Sequence, residues 1–223
     1  MFNYFVDGLS RLNLPLTEIT VQKEIEFLEE LLRWNQQINL TSITNYNEAI
    51  EKHLLDSLVL LSYLDGAKKI MDMGSGGGLP GIPLAIAVPS LKVVSVDSIG
   101  KKINFQKHIK RILQLKNLMV LQSRIEDLQP TDLEQEKYDL VLSRAFSSLE
   151  TSIEYAAPWL VSGGRLIAMK GSEGRAEVDS LGQIYKEHNM MEPSVFSYKL
   201  PFSSAERQLV ILKKRPVGVL NNK

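Results

Sequence analysis

The sequence predicts an α/β fold: a mostly parallel, Rossmann-like sheet with an antiparallel last strand, preceded by a helical N-terminal extension. Three observations carry this. From Lys68 onward, short β-rich runs alternate with helical periods, the pattern of a parallel sheet covered on both faces. A glycine-rich bend, KKIMDMGSGGGLPGIPLA at 68–85, joins the first such run to an apolar helix. Ahead of the bend, apolar residues recur at helical spacing.

The helical extension is expected over residues 1–66, the sheet domain over 67–216, and a frayed tail over 217–223. Thr20 to Gln37 carries Val21, Ile25, Leu28, Leu31, Leu32 and Trp34 on one stripe, and Glu48 to Leu64 resumes the period before Gly66 stops it. After the bend, Lys92 to Val96 is a β-branched run ending at Asp97, and Lys101 to Leu115 is helical. Leu118 to Gln122 and Tyr138 to Leu142 give two further strands. Leu149 to Val161 reads as a helix disturbed by Pro158, and Gly163 and Gly164 turn into a strand over Leu166 to Met169. A helix over Glu173 to His188 and a hairpin of Ser194 to Lys199 with Gln208 to Leu212 complete the domain.

Composition narrows the class. The chain has 223 residues, 44% of them hydrophobic, enough for a substantial core. It holds no apolar run long enough to span a membrane, and residues 1–14 lack the pattern of a signal peptide. With no cysteine there is no disulfide framework or zinc ribbon, so a cytoplasmic protein is expected. Only three histidines occur, none in a ligand-spaced cluster, so no metal site is expected. Twenty-six basic residues balance 26 acidic ones. That excludes a uniformly positive coat but leaves room for a local basic patch.

The bend is the first candidate site. Glycines 74, 76, 77 and 78 let the backbone take positive φ and approach a ligand closely. The helix beyond is expected to aim its unpaired N–H groups at that ligand, with Pro80 in its opening turn. Two ligands compete. Gly76, Gly78 and Gly81 satisfy the dinucleotide fingerprint, whereas Asp72, Gly74, Gly76 and Gly78 resemble motif I of S-adenosylmethionine (SAM)-dependent methyltransferases. A pyrophosphate is repelled by a nearby carboxylate and the cationic groups of SAM are not, so Asp72 favours SAM.

Other candidates end the later strands. Asp97, with Ser98 beside it, is placed to accept both ribose hydroxyls, or else to cap a helix. Glu126, after Ser123, Arg124 and Ile125, stands where an adenine amine is read, or is a first-turn helix acid. Arg144, between Ser143 and Ala145, replaces the acid or Asn that holds a nucleophilic nitrogen in many amino-methylating enzymes. That points to an acceptor which is anionic or rich in hydrogen-bond acceptors and already nucleophilic. His53 can line a pocket or be a satisfied core histidine. Lys101, Lys102, Lys107, Lys110 and Arg111, and the cluster Lys213 to Arg215, are either solvated faces or phosphate-tracking patches.

Several blocks in order resemble the bacterial GidB/RsmG methyltransferases over nearly the whole chain. They are WNQQINLT (34–41), HLLDSL (53–58), DMGSGGGLPGIP (72–83), DSIGKK (97–102), QSRIE (122–126), SRAF (143–146) and MKG (169–171). The stretch NFQKH (104–108) departs from the more hydrophobic, arginine-containing pattern of that family. The resemblance implies a SAM-dependent enzyme that methylates guanine N7 in 16S ribosomal RNA (rRNA), acting as a monomer on the RNA or the small subunit. It implies that Gly74, Ser75, Gly76, Gly78, Leu79, Asp97, Ser98, Ile125, Glu126 and Arg144 contact or border SAM, and that Arg124 and Arg144 serve the RNA side of catalysis.

The chemistry is consistent. Guanine N7 has a free lone pair at neutral pH, so its methylation needs no general base, only alignment and exclusion of water. An arginine donor on N7 would occupy that lone pair, so a catalytic arginine must hold O6 or a phosphate. The guanine must also be splayed from its stack. A neutral chain is expected to bind RNA modestly and to depend on preformed substrate shape. The competing readings are an NAD(P)-dependent oxidoreductase, which lacks a recognisable hydride-handling constellation here, and a non-catalytic SAM- or RNA-binding module.

Overall fold

A computed structural model describes residues 2–128 and 137–216; the expected tail at 217–223 lies outside the described residues. The strands are β1 (Lys69–Met73), β2 (Lys92–Asp97), β3 (Leu118–Gln122), β4 (Tyr138–Arg144), β5 (Leu160–Lys170), β6 (Ser194–Lys199) and β7 (Glu206–Lys213). They form one sheet in the order β3-β2-β1-β4-β5-β7-β6. The first five run parallel and β7 is antiparallel to both β5 and β6, as expected from the sequence. All five parallel strands therefore end at one edge, where ligands bind in open α/β sheets.

The pleat divides the core in two. Ile70, Val93, Leu140 and Leu142 point to one face and Met71, Met73, Val94, Val96 and Val141 to the other. On the first face lie α1 (Phe2–Arg11), α2 (Glu18–Ile38), α5 (Gly81–Ala87) and α6 (Gly100–Ile112), so the N-terminal helices share a core with the sheet. Thr17 caps α2 by accepting from Thr20 N–H. Helix α7 (Leu149–Ala156) and α9 (Ile184–Glu187) cover the second face.

Several elements differ from the periodicity reading. The expected helix over Glu48 to Leu64 changes winding along its length: α3 (Tyr46–Ala49), a π-helical stretch Ile50–Leu55, α4 (Asp56–Leu58) and a 3-10 stretch Val59–Tyr63. The helix expected over Leu149 to Val161 ends at Trp159, because Pro158 converts its last turn to 3-10 geometry. Strand β5 starts at Leu160 rather than Leu166, and a bulge absorbs residues 161–164 where it pairs with β4. The helix expected over Glu173 to His188 is two pieces, α8 (Gly174–Ser180) and α9, parted at Gly182 with φ +61°.

Candidate active site

The bend after β1 is built by its own backbone. Ser75 N–H donates to Val96 O at 3.0 Å, Gly78 and Leu79 N–H both return to Ser75 O, and Ile82 N–H donates to Gly78 O. Helix α2 braces it from outside: a Cβ on Gly77 would lie 2.8 Å from the buried Leu31 side chain. Gln106 on α6 braces it from inside. Its Nε2 donates to Ser75 Oγ and Gly76 O, each at 2.8 Å, and its Oε1 accepts from Ser95 Oγ at 2.6 Å. Sequence reading missed this role, since a glutamine within a basic helix looks like a solvated residue. Within the NFQKH segment, Phe105, Gln106 and His108 turn toward the protein: His108 Nε2 lies 2.7 Å from Glu30 Oε2, and Phe105 packs on Trp34, while Asn104 and Lys107 are exposed.

Asp72 does not reach the cavity beside the bend. It is fully buried, and its Oδ2 accepts Gly81 N–H at 2.8 Å. The helix N-terminus expected to face a ligand is thus capped by the strand-end carboxyl itself. Burial pushes the Asp72 pKa up to about 7, opposed by the Gly81 N–H and by Arg144. Its Oδ1 is buried with no hydrogen-bond partner among the described residues.

A cavity of about 380 Å³ opens at the sheet's C-terminal edge. It brings together Gly74, Asp97, Ser98, Arg124, Ile125 and Glu126 from three separate sequence blocks. Asp97 is 8% exposed; Oδ2 accepts Gly76 N–H and Oδ1 accepts Ile99 N–H, both at 2.8 Å. Each oxygen keeps a second lone pair, so the carboxylate caps its loop and can still accept a hydroxyl. Ser75, Gly76, Gly78, Leu79 and Arg144 do not line this cavity. Ser75 is buried in the bend, and Leu79 packs toward the N-terminal core.

The residues present fit a nucleoside cofactor. Gly74 has φ +68°, and a Cβ there would lie 2.1 Å from Phe146 Cδ2, so only glycine leaves the ring over the bend. The cavity volume suits a nucleoside-sized ligand, and Asp97, Ile125 and Glu126 supply both acceptor and apolar groups along its lining.

Arg144 lines a second cavity of about 580 Å³ with Asp56, Arg207, Lys170, Glu173 and Glu177. Ala145, Phe146 and Ser147 belong to both cavities and form the wall between them. Arg144 is held from behind: Nη2 donates to Lys52 O at 2.6 Å and Nη1 to Ser57 Oγ at 3.2 Å. Nη2 also lies 3.5 Å from His53 Nδ1. An arginine only donates, so His53 carries its proton on Nε2, 2.8 Å from Thr41 Oγ1. Burial, then the Arg144 charge, lowers the His53 pKa to about 4, and the residue is a neutral core histidine. Asp56 Oδ1 accepts from Tyr198 Oη at 2.6 Å, and its Oδ2 is 3.7 Å from Arg144.

The basic clusters divide. Lys214 Nζ donates to Ala157 O and Leu160 O, a structural tie rather than a patch. Lys102 lines the first cavity and Arg124 sits at its rim, 3.4 Å from Glu126. Among the described residues, no cluster of three or more His, Cys, Asp or Glu is arranged to hold a metal.

Comparison with known proteins supplies the family and the fold. The family described as GidB, rRNA small subunit methyltransferase G, matches residues 20–210. A protein of Syntrophotalea carbinolica named ribosomal RNA small subunit methyltransferase G is 42% identical, covering 97% of this chain and 99% of that one. Its namesake in Geobacter sulfurreducens is 39% identical over 92% and 93%. Among solved structures, an O-methyltransferase from Bacillus cereus in complex with SAH has a TM-score of 0.58 at 16% identity. It covers 85% of this chain and 91% of that one. A putative O-methyltransferase from Klebsiella pneumoniae has a TM-score of 0.56 at 14% identity, covering 85% and 90%. At such identities these structures speak for the fold alone.

Proposed function

The chain belongs to the GidB family, rRNA small subunit methyltransferase G, and from that membership and the paired cavities we propose that it methylates N7 of a guanine in 16S rRNA, using SAM. The observation that carries the N7 reading is the state of the carboxylates around the second cavity. Asp56 accepts from Tyr198, Glu173 from Gly171 N–H, and Glu177 from Leu149 N–H and Lys170. All three are tied into the fold, and the strand-end position at this cavity carries Arg144, a donor, instead of the acid or Asn that would hold an exocyclic amine. Guanine N7 needs no deprotonation.

Bound SAM would supply a methyl group on a cationic sulfur, and N7 can accept it without losing a proton. The remaining work falls to the protein. Asp97 and Ser98 would hold the ribose of SAM and Ile125 and Glu126 its adenine edge, while Gly74 leaves room at the donor end for the Phe146 ring. Arg144, already fixed by Lys52 O and Ser57 Oγ, holds guanine O6 or a phosphate without a reorganisation cost at the moment of transfer. Arg124, exposed at the cavity rim, meets the RNA strand. Phe146 lines both cavities and excludes water from the junction where donor and acceptor meet.

The same reading makes this a cytoplasmic protein, monomeric, acting on 16S rRNA or the small ribosomal subunit. Among the described residues, no helix is long and apolar enough to cross a membrane. The test is methyl transfer from labelled SAM to small ribosomal subunits, followed by nucleoside analysis. Label in 7-methylguanosine is expected. Label in another nucleoside overturns the N7 assignment, and RNA binding without transfer leaves a binding module.

A further inference from the structure

At the opposite edge of the sheet, where β2 and β3 begin, lies a groove of about 670 Å³. Four lysines from four segments border it: Lys23 of α2, Lys92 of β2, Lys110 of α6 and Lys116 ahead of β3. No Asp or Glu is among its lining residues. None of the four ammonium groups has a hydrogen-bond or ion-pair partner among the described residues, unlike those of Lys52, Lys170 and Lys214. In a chain with zero net charge, this is a local concentration of uncompensated positive charge.

The groove is also rigidly made. Asn117 Nδ2 donates to Ala85 O, Val88 O and Leu91 O at 3.0, 3.3 and 2.9 Å, fixing the loop that forms one wall. Met119, 44% exposed, gives it an apolar floor against which a sugar or base can lie.

We propose that this groove docks the phosphodiester backbone of a second segment of the folded rRNA substrate. The proposal rests on the reading of rRNA as the substrate. Lys92 and Asp97 lie at opposite ends of β2, about 17 Å apart at strand rise, and Arg144 of the acceptor cavity ends β4, two strands further across the sheet at the Asp97 edge. A phosphate in the groove therefore cannot belong to the guanosine in the acceptor cavity and comes from another part of the RNA. This gives a neutral chain a shape-dependent grip on its substrate, through phosphates rather than bases.

The test compares the parent with the triple variant Lys92→Glu, Lys110→Glu, Lys116→Glu. Filter binding to protein-free 16S rRNA and methyl transfer to small subunits are both measured across a salt series. Removal of two to three phosphate contacts is expected to raise the RNA Kd about tenfold or more near physiological salt. The slope of log Kd against log salt should fall by about two. SAM affinity and kcat should stay within twofold, and the triple Lys→Arg variant should match the parent. Unchanged RNA affinity and salt slope overturn the proposal. So does a defect confined to assembled subunits, which would assign the groove to an acidic protein. If charge reversal lowers the melting temperature, Lys→Gln at the same positions carries the same readouts. A parent that transfers no methyl group refutes the functional reading, whereas the RNA-binding comparison judges the groove separately.

Discussion

Asp72→Asn isolates the strand-end carboxyl. In the fold its pKa is pushed from 3.8 up to about 7 by burial, against the opposing pull of Gly81 N–H and Arg144. Because the folded value lies above the unfolded one, the contribution of this group to stability is complete below pH 3.8 and is lost as pH rises through 7. The displacement corresponds to on the order of 4 kcal/mol. Asparagine keeps the shape and an oxygen for Gly81 N–H, but does not ionise. Any packing cost of the new amide shifts all pH values alike. The stability of the variant relative to the parent should therefore climb between pH 4 and 7, by up to about 1.4 kcal/mol per pH unit, and level off above that. Urea unfolding of both proteins at half-unit steps from pH 4.5 to 9 measures the difference. A difference that is flat with pH, or that moves toward the parent as pH rises, refutes the burial argument.

Other substitutions separate the parts of the site. Gly74→Ala forces an L-residue into φ +68° and sets its Cβ against Phe146. SAM affinity by calorimetry should drop tenfold or more, while Gly66→Ala, at φ +75° with nothing within 4 Å, should leave it intact. Gln106→Leu removes three hydrogen bonds and leaves Ser75 and Ser95 hydroxyls buried without their partner. Chemical denaturation should show a loss of about 2–4 kcal/mol, and a loss below 1 would deny the brace. Arg144→Ala should cut methyl transfer roughly a hundredfold with SAM binding largely kept; near-normal turnover rejects its role at the acceptor.

Much of this architecture was legible because strand ends are local signals. Asp97, the 123–126 stretch and Arg144 each follow a β-branched or apolar run, and parallel pairing brings all of those runs to one edge. The presence of two adjoining cavities was not legible. Arg144 follows β4 as expected, but its partners Lys52 and Ser57 come from a helical segment about 90 residues earlier. Arg207, from β7, completes the same cavity. No periodicity links such segments. The π-helical stretch at Ile50–Leu55 repeats apolar residues at nearly the spacing of an ordinary helix, so its change of winding leaves little trace in the sequence. Asp72 was read by its charge, whereas its surroundings, full burial and the Gly81 N–H, decided its role.

The most direct test is a map of 7-methylguanosine in 16S rRNA from cells with and without this protein. One guanine should lose its N7 methyl group when the protein is absent and regain it when the parent chain, but not Arg144→Ala, is returned. An unchanged pattern of 7-methylguanosine contradicts the assignment at its root.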